Sequence, residues 1–318
     1  MSKVWDVHRT DNADSPVLVF DVGGSHVSAA VFLGADFRLG PVARGLHSAG
    51  ETADGFIGLL HALGAEAAAG LPAAQGATLA MPSPFDFEKG ICLMRHKLPY
   101  LYGVSLRDAL AARFGWQPAQ VHFLNDADAY LLGEVGAGAG RGFARVVAIT
   151  LGTGTGSAFS VDGRLVTDGP GVPHGGEIWD LPYESGIVED FLSSRAIVSD
   201  YHRRTGNKST VAALARIALS DPVAQEVFTE FGLHLGRVLR TLLVKFLPDV
   251  VVLGGGISRA AHLFLPAAQQ ELTGPAPQLR VSDLQDLAPL VGCGAARLLG
   301  RSGALASVGA SSTQTNPA

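Results

Sequence analysis

Apolar positions along this chain recur in two rhythms. Short apolar or β-branched runs bounded by glycine, proline or aspartate read as strands: 17–20 ending at Asp21, 27–32, 77–81, the 121–124 stretch of VHFLND, the run closing at Leu151, 157–161, and 250–253. Three- and four-residue spacing reads as helix over 51–70 (Phe56, Leu59, Leu60, Leu63), 104–114, the segment after Asp126 (Ala129, Leu131, Leu132), 210–218, 221–247 (Val227, Phe231, Leu235, Val238, Leu239, Leu242, Leu243), 258–270, and a last helix carrying VGCGAARLLG. The punctuation agrees with this division. Ser105 caps and Gly115 stops the 104–114 helix, Pro82 ends the 77–81 strand, and Pro248 breaks the long helix. Residues 34–48 carry turn signals only, and 281–288 read as a lead-in to the last helix. Strands that alternate with helices in this way predict an α/β protein.

Two segments repeat one design. DVGGSHVSAAVF and TLGTGTGSAFSV each run strand, glycine-rich tip, strand, and such repetition predicts two lobes of related architecture. A tip without bulky side chains can approach phosphate oxygens closely, and Asp21 beside the first tip can hold a hydrated Mg²⁺. The plainer reading, an ordinary hairpin turn, stays open for each tip alone. Gly152, Gly154 and Gly156 have the wrong spacing for a dinucleotide fingerprint, and the chain continues after them as a strand instead of opening a helix.

LNDADAYLLGE places Asn125 and Asp126 where a buried strand runs directly into an amphipathic helix. A carboxylate there can be held by backbone N–H groups while a free oxygen faces a cleft. That Asp126 only caps the helix is the competing reading. The long segment from Phe85 to Gly103 carries Asp86, Arg95, His96 and Lys97, which suit either a binding loop or a solvated surface.

Composition narrows the classes. The chain has 318 residues, 47% of them hydrophobic, with 24 Lys and Arg against 29 Asp and Glu, a formal net charge of −5. Neither sign forms runs, so no footprint for nucleic acid or an anionic membrane is expected. No stretch has the roughly 18 apolar residues of a membrane span, and the polar start is unlike a signal peptide, so the expected location is the cytoplasm. Cys92 and Cys293 are too few and too far apart for a disulfide framework or a zinc cluster, and read as buried free thiols.

Six motifs taken together carry a resemblance: DVGGS at Asp21, LNDAD with GE from Leu124 to Glu134, LGTGTGSAF at Leu151, GGE from Gly175 to Glu177, VEDFLSSRAI at Val188 and VVLGGGIS at Val251. In order and spacing the chain resembles, over about 16–300, the ROK family of sugar kinases and related repressors. The resemblance implies the two-lobe actin-like ATPase (ribonuclease H-like) fold with ATP and sugar in the interlobe cleft. The implied lobes are 16–124 with 284–300, and 125–283, with 1–15 a leader and 301–318 a disordered tail. Only the residues before Asp21 precede the first tip, too few for the helix-turn-helix domain of family repressors.

The resemblance also implies the site. Asp126 is the general base; Asn125, Glu177 and Glu189 contact sugar hydroxyls, with Ser185 expected to cap the helix that bears Glu189. Gly23, Gly24, Ser25, Gly152, Thr153 and Gly154 surround the phosphates, Gly254, Gly255 and Gly256 lie at the adenosine end, and Asp21 holds Mg²⁺ through water. The implied reaction is ATP-dependent phosphorylation of a hexose, at the 6-hydroxyl, by a homodimer without bound zinc. One corner departs from the family. Trp179-Asp180 stands where the family has Gly-His, and His174 is the candidate to reach that space. A kinase for fructose, allose or an N-acetylhexosamine, or a catalytically weak sugar-binding sensor, are the alternatives.

Overall fold

Two five-stranded sheets, each built on a glycine-tipped hairpin, face each other across a layer of helix. A computed structural model describes residues 15–34, 36–243, 245–273 and 276–298. The expected disordered tail and, save for Ser15, the expected leader lie outside the described residues.

The first sheet has the order β3-β2-β1-β4-β7. Strand β1 (Val17–Val22) pairs antiparallel with β2 (His26–Phe32), which pairs antiparallel with β3 (Ala43–Leu46). Helix α1 (Ala53–Ala67) crosses to β4 (Ala77–Met81), parallel to β1. A small hairpin, β5 (Phe85–Asp86) and β6 (Ile91–Cys92), then precedes α2 (Leu106–Phe114) and β7 (Val121–Asn125), parallel to β4. Ser105 Oγ accepts the Asp108 N–H at 3.3 Å and Gly115 takes the left-handed conformation, so the sequence had both ends of α2.

From β7 the chain enters α3 (Asp126–Ala137), then the second sheet, ordered β10-β9-β8-β13-β14. Its hairpin is β8 (Arg145–Leu151) with β9 (Thr155–Val161), extended by β10 (Arg164–Leu165). After the two-residue strands β11 (Pro182–Tyr183) and β12 (Gly186–Ile187) come α4 (Val188–Phe191), α5 (Ser194–Thr205), α6 (Val211–Ile217) and α7 (Pro222–Leu243). Parallel β13 (Val250–Gly254), α8 (Ala261–Glu271), parallel β14 (Gln278–Val281) and α9 (Ala288–Leu298) complete the described chain.

Strand alternation explains the layers. In β1, Leu18, Phe20 and Val22 point to an apolar cluster with α1 and α2, while Val17 and Val19 point to a central cluster with α3 and α9. In β8 and β13, Val146, Ala148, Val250 and Val252 join that central cluster, and Val147, Ile149, Val251 and Leu253 join the outer one with α7 and α8. Helices α3 and α9 touch backbone to backbone because glycine allows it. A Cβ on Gly292 would lie 1.6 Å from the Ala129 carbonyl oxygen, and one on Gly133 would lie 2.1 Å from that of Ala288. Asp126 therefore opens a helix clamped between the sheets.

Several expectations need correction. The 34–48 stretch holds β3, and β14 precedes the last helix. The expected 258–270 helix is a 3-10 turn, Gly256–Ala260, followed by α8. Ser185 does not cap α4: the strand pair β11 and β12 intervenes, and the cap position falls to Ile187, whose N–H donates to Asp190 Oδ2 at 3.1 Å.

Candidate active site

The joint between β7 and α3 assigns its two polar residues different work. Asn125 is the cap, with Oδ1 accepting the N–H groups of Ala127 at 2.9 Å and Asp128 at 3.3 Å, while Nδ2 donates to Ser83 Oγ at 3.1 Å. One amide N–H of Asn125 is left over. Asp126 Oδ1 shares the Ala127 N–H at 2.9 Å, and Oδ2 makes no hydrogen bond among the described residues. Burial raises the Asp126 carboxyl above its ordinary range; Lys97 and the Ala127 N–H oppose the rise and Glu177 adds to it. Lys97 thus brings its charge to bear on Asp126 from the segment that the sequence left divided between binding loop and solvated surface.

The first glycine tip is closed by the Gly23 N–H, which donates to the His26 carbonyl at 2.9 Å, while a Cβ on Gly24 would meet only open space. Buried His47 holds this tip from behind. Its Nε2 lies 3.0 Å from the Gly23 carbonyl oxygen and its Nδ1 lies 2.8 Å from the Tyr100 hydroxyl. Because a carbonyl only accepts, Nε2 carries the proton and Tyr100 donates to Nδ1. The His47 N–H also donates to the Ser25 carbonyl at 3.1 Å. Burial first, then the charge of Glu51, pushes Tyr100 up to about 12, which keeps it a donor.

At the second tip the Gly152 N–H donates to the Gly154 carbonyl at 3.0 Å, and the Gly152 carbonyl accepts the Ser194 N–H at 2.7 Å where α5 begins. Thr153 is exposed. Glu189 packs against this tip: Oε2 accepts the Thr155 N–H at 3.0 Å and would lie 2.6 Å from a Cβ on Gly154. At the end of β13, Gly254 passes the Tyr130 ring too closely for any side chain, Gly255 has φ 78 against the Leu151 carbonyl, and Gly256 is open.

Glu177 is set by Ser157 on β9, whose Oγ donates to the Gly176 carbonyl at 2.7 Å and accepts the Ile178 N–H at 3.0 Å. The Trp179 indole N–H donates to Glu177 Oε2 at 2.9 Å, and the Trp179 carbonyl accepts the Glu189 N–H at 3.0 Å. His174 is exposed; its carbonyl accepts the Glu177 N–H at 3.2 Å, and its imidazole forms no hydrogen bond to Glu177.

A cleft of about 530 Å³ opens between the sheets, with Asp21, Ser28 and Arg44 on one wall and Tyr130, Gly255, Gly256 and Asp286 on the other. Such a volume suits a small organic ligand. Asp21 is pushed up to about 7 by burial, then by the charges of Asp126 and Asp286. Asp128, buried on the first turn of α3, is also pushed up to about 7, by burial and then by Asp126 and Glu177. These carboxylates form one field of like charge. Asp21 is therefore a hard oxygen donor that a cation would relieve. Among the described residues no group of three or more His, Cys, Asp or Glu is placed to hold a metal directly. One or two carboxylates with water and phosphate are what Mg²⁺ takes, so the residues present fit it.

His47, Tyr130, Asp128 and Asp286 went unnoticed in the sequence. Asp128 had a local signal, lying two residues beyond Asp126 in the same motif. Tyr130 also lies in that motif, whereas His47 and Asp286 are placed by packing between segments distant in sequence, which no short motif records.

Known proteins share this architecture. Residues 17–298 match the family described as ROK family. A glucokinase of Thermotoga maritima is 31% identical over 218 residues, 60% of this chain and 67% of that one. An N-acetylgalactosamine kinase of Shewanella sp. is 28% identical over 195 residues, 55% of this chain and 63% of that one, so this chain spans about two thirds of each relative. The crystal structure of a ROK hexokinase from Thermus thermophilus superposes with a TM-score of 0.71 at 26% identity, covering 88% of this chain and 97% of that one. The fold is the two-lobe actin-like ATPase fold expected from the sequence. No helix among the described residues is long and apolar enough to cross a membrane.

Proposed function

This chain belongs to the ROK family, and we propose that it is an ATP-dependent sugar kinase that phosphorylates a hexose at its 6-hydroxyl. The observation that carries the reading is Asp126 Oδ2, an oxygen of a half-buried carboxylate that makes no hydrogen bond among the described residues, on a helix start already capped by Asn125. A sugar hydroxyl is a weak nucleophile at neutral pH. Asp126 accepts its proton as the hydroxyl oxygen bonds to the γ-phosphorus and the bond from that phosphorus to the ADP oxygen breaks, a contribution of typically about 10²–10⁴-fold.

The remaining roles follow from supporting contacts. The spare amide N–H of Asn125 and the free oxygen of Glu177 hold further hydroxyls, Glu189 Oε1 serves the anomeric side, and His174 is the candidate to reach the same sugar from the Glu177 turn. Gly23, Gly24, Ser25, Gly152, Thr153 and Gly154 present backbone to the phosphates, with Gly254, Gly255 and Gly256 toward the adenosine. Asp21 holds hydrated Mg²⁺, which when bound offsets phosphate charge. Lobes 16–124 with 284–300, and 125–283, close to exclude water that would otherwise take the phosphoryl group. We assign the working form as a cytoplasmic homodimer.

A second reading, in which the acceptor is fructose, allose or an N-acetylhexosamine, rests on the departure of this corner from the family's Gly-His at 179–180. The Shewanella relative is itself named for an N-acetylhexosamine. ADP release with ATP and Mg²⁺ across glucose, mannose, fructose, allose and N-acetylglucosamine tests both. Preferred turnover with glucose supports the first reading, and preferred turnover with one of the other sugars supports the second. No ADP with any sugar, beside measurable sugar binding, contradicts a kinase and leaves a sensor.

A further inference from the structure

Trp179 stands between the two carboxylates proposed to hold the sugar. Its indole N–H donates to Glu177 Oε2 at 2.9 Å, and its backbone carbonyl accepts the Glu189 N–H at 3.0 Å. Both ends of the residue are fixed, yet Trp179 remains 39% exposed. An anchored, partly exposed indole offers a large, rigid apolar surface with a polar tip. Glu177 in turn lies within electrostatic reach of Asp126 and Asp128. Through Glu177 the indole is thus linked to the carboxylates at the start of α3.

Resting on the sugar-kinase reading, the geometry points to Trp179 as a specificity-determining residue that seats the C–H face of a hexopyranose with equatorial hydroxyls and fixes Glu177 by its N–H. A carboxylate offers about four acceptor positions. With one position on Oε2 taken by the indole, the Glu177 carboxylate cannot rotate freely and presents its other oxygen in a set direction. A pyranose whose ring hydroxyls are all equatorial lines its faces with C–H groups, which lie well on the electron-rich face of an aromatic ring. An axial hydroxyl on that face is pressed against the ring without a hydrogen-bond partner. Discrimination between epimers thus comes from a repulsive element as well as an attractive one.

Trp179→Phe and Trp179→Ala separate the two roles, and the exposure of the ring means that neither variant opens a core cavity. Steady-state kinetics are measured for glucose, for its axial 4-epimer galactose, and for ATP. Trp179→Ala is expected to raise the glucose KM by about tenfold or more and to bring the glucose-to-galactose ratio of kcat/KM toward one, with the ATP KM within about twofold of wild type. Trp179→Phe keeps the platform and is expected to retain epimer preference while losing part of the sugar affinity. A Trp179→Ala enzyme with wild-type glucose KM and wild-type epimer ratio overturns the inference, as does an equal rise in the KM of sugar and ATP. If the wild type releases no ADP yet binds glucose, the kinase reading fails separately, and the glucose and galactose affinities of Trp179→Ala decide the role of Trp179. A wild type that neither turns over nor binds any sugar overturns both.

Discussion

Asn125 and Asp126 divide the start of α3 between them. The Asn125 amide oxygen accepts the Ala127 and Asp128 N–H groups, and the adjacent carboxylate keeps Oδ2 free of hydrogen bonds among the described residues. A helix start that needed Asp126 as its cap would leave that carboxylate poorly placed to accept a proton. Here capping and proton transfer belong to different side chains, and each can be tested without the other.

The pH dependence of turnover follows from the environment of Asp126. Its carboxyl is raised by burial, and a general base must be ionised to act. The sugar kcat/KM is therefore expected to fall as pH drops, along a limb above the unperturbed Asp value of about 3.9. The charge of Asp126 in turn helps to raise Asp21, so ionisation of Asp126 is felt at Asp21. A pH–rate profile flat down to that ordinary value contradicts the assignment.

Asp128 carries an opposite message for stability. Its folded-state pKa of about 7 lies above its unfolded value. Its stabilising contribution is thus present at acid pH and is lost as pH rises through the interval up to about 7. Asp128→Asn removes that loss while keeping the shape. In thermal melts without nucleotide or Mg²⁺, the variant should gain on wild type steadily between about pH 4 and about pH 7 and then level off. A Tm difference that does not change with pH rules this out.

His47 is expected to act on ATP. Its ring joins the Gly23 carbonyl to Tyr100, so His47→Ala leaves the first glycine tip without its backing. Loss of a hydrogen bond worth about 0.5–1.5 kcal/mol predicts an ATP KM raised by about two- to tenfold, with a smaller change in the sugar KM. Tyr100→Phe should show the same pattern more weakly. Equal effects on both substrates mean general loosening instead.

Periodicity made the long strands, most of the long helices and both glycine tips legible, because each buries an alternating or three-to-four-residue apolar face, while α5 went unread. Strands β3 and β14 escaped notice since four residues with an exposed arginine, Arg44 or Arg280, carry too little pattern. Ser185 misled because a side-chain cap is expected where a two-residue hairpin delivers the chain to α4. His47 was invisible because only the pairing of β2 with β3, with His26 opposite Leu46, brings it beside the first tip. The Trp179-Asp180 departure was visible as a change of residue type, but the indole's bond to Glu177 needed coordinates.

Asp126→Ala gives the most direct test of the proton acceptor. Asn125 still caps α3 in this variant, so the helix start and the sugar pocket should persist. The measurement is ADP release with the preferred sugar, beside equilibrium binding of that sugar to the same preparation. The account predicts turnover reduced by about 10²-fold or more with binding retained; near-normal turnover contradicts it.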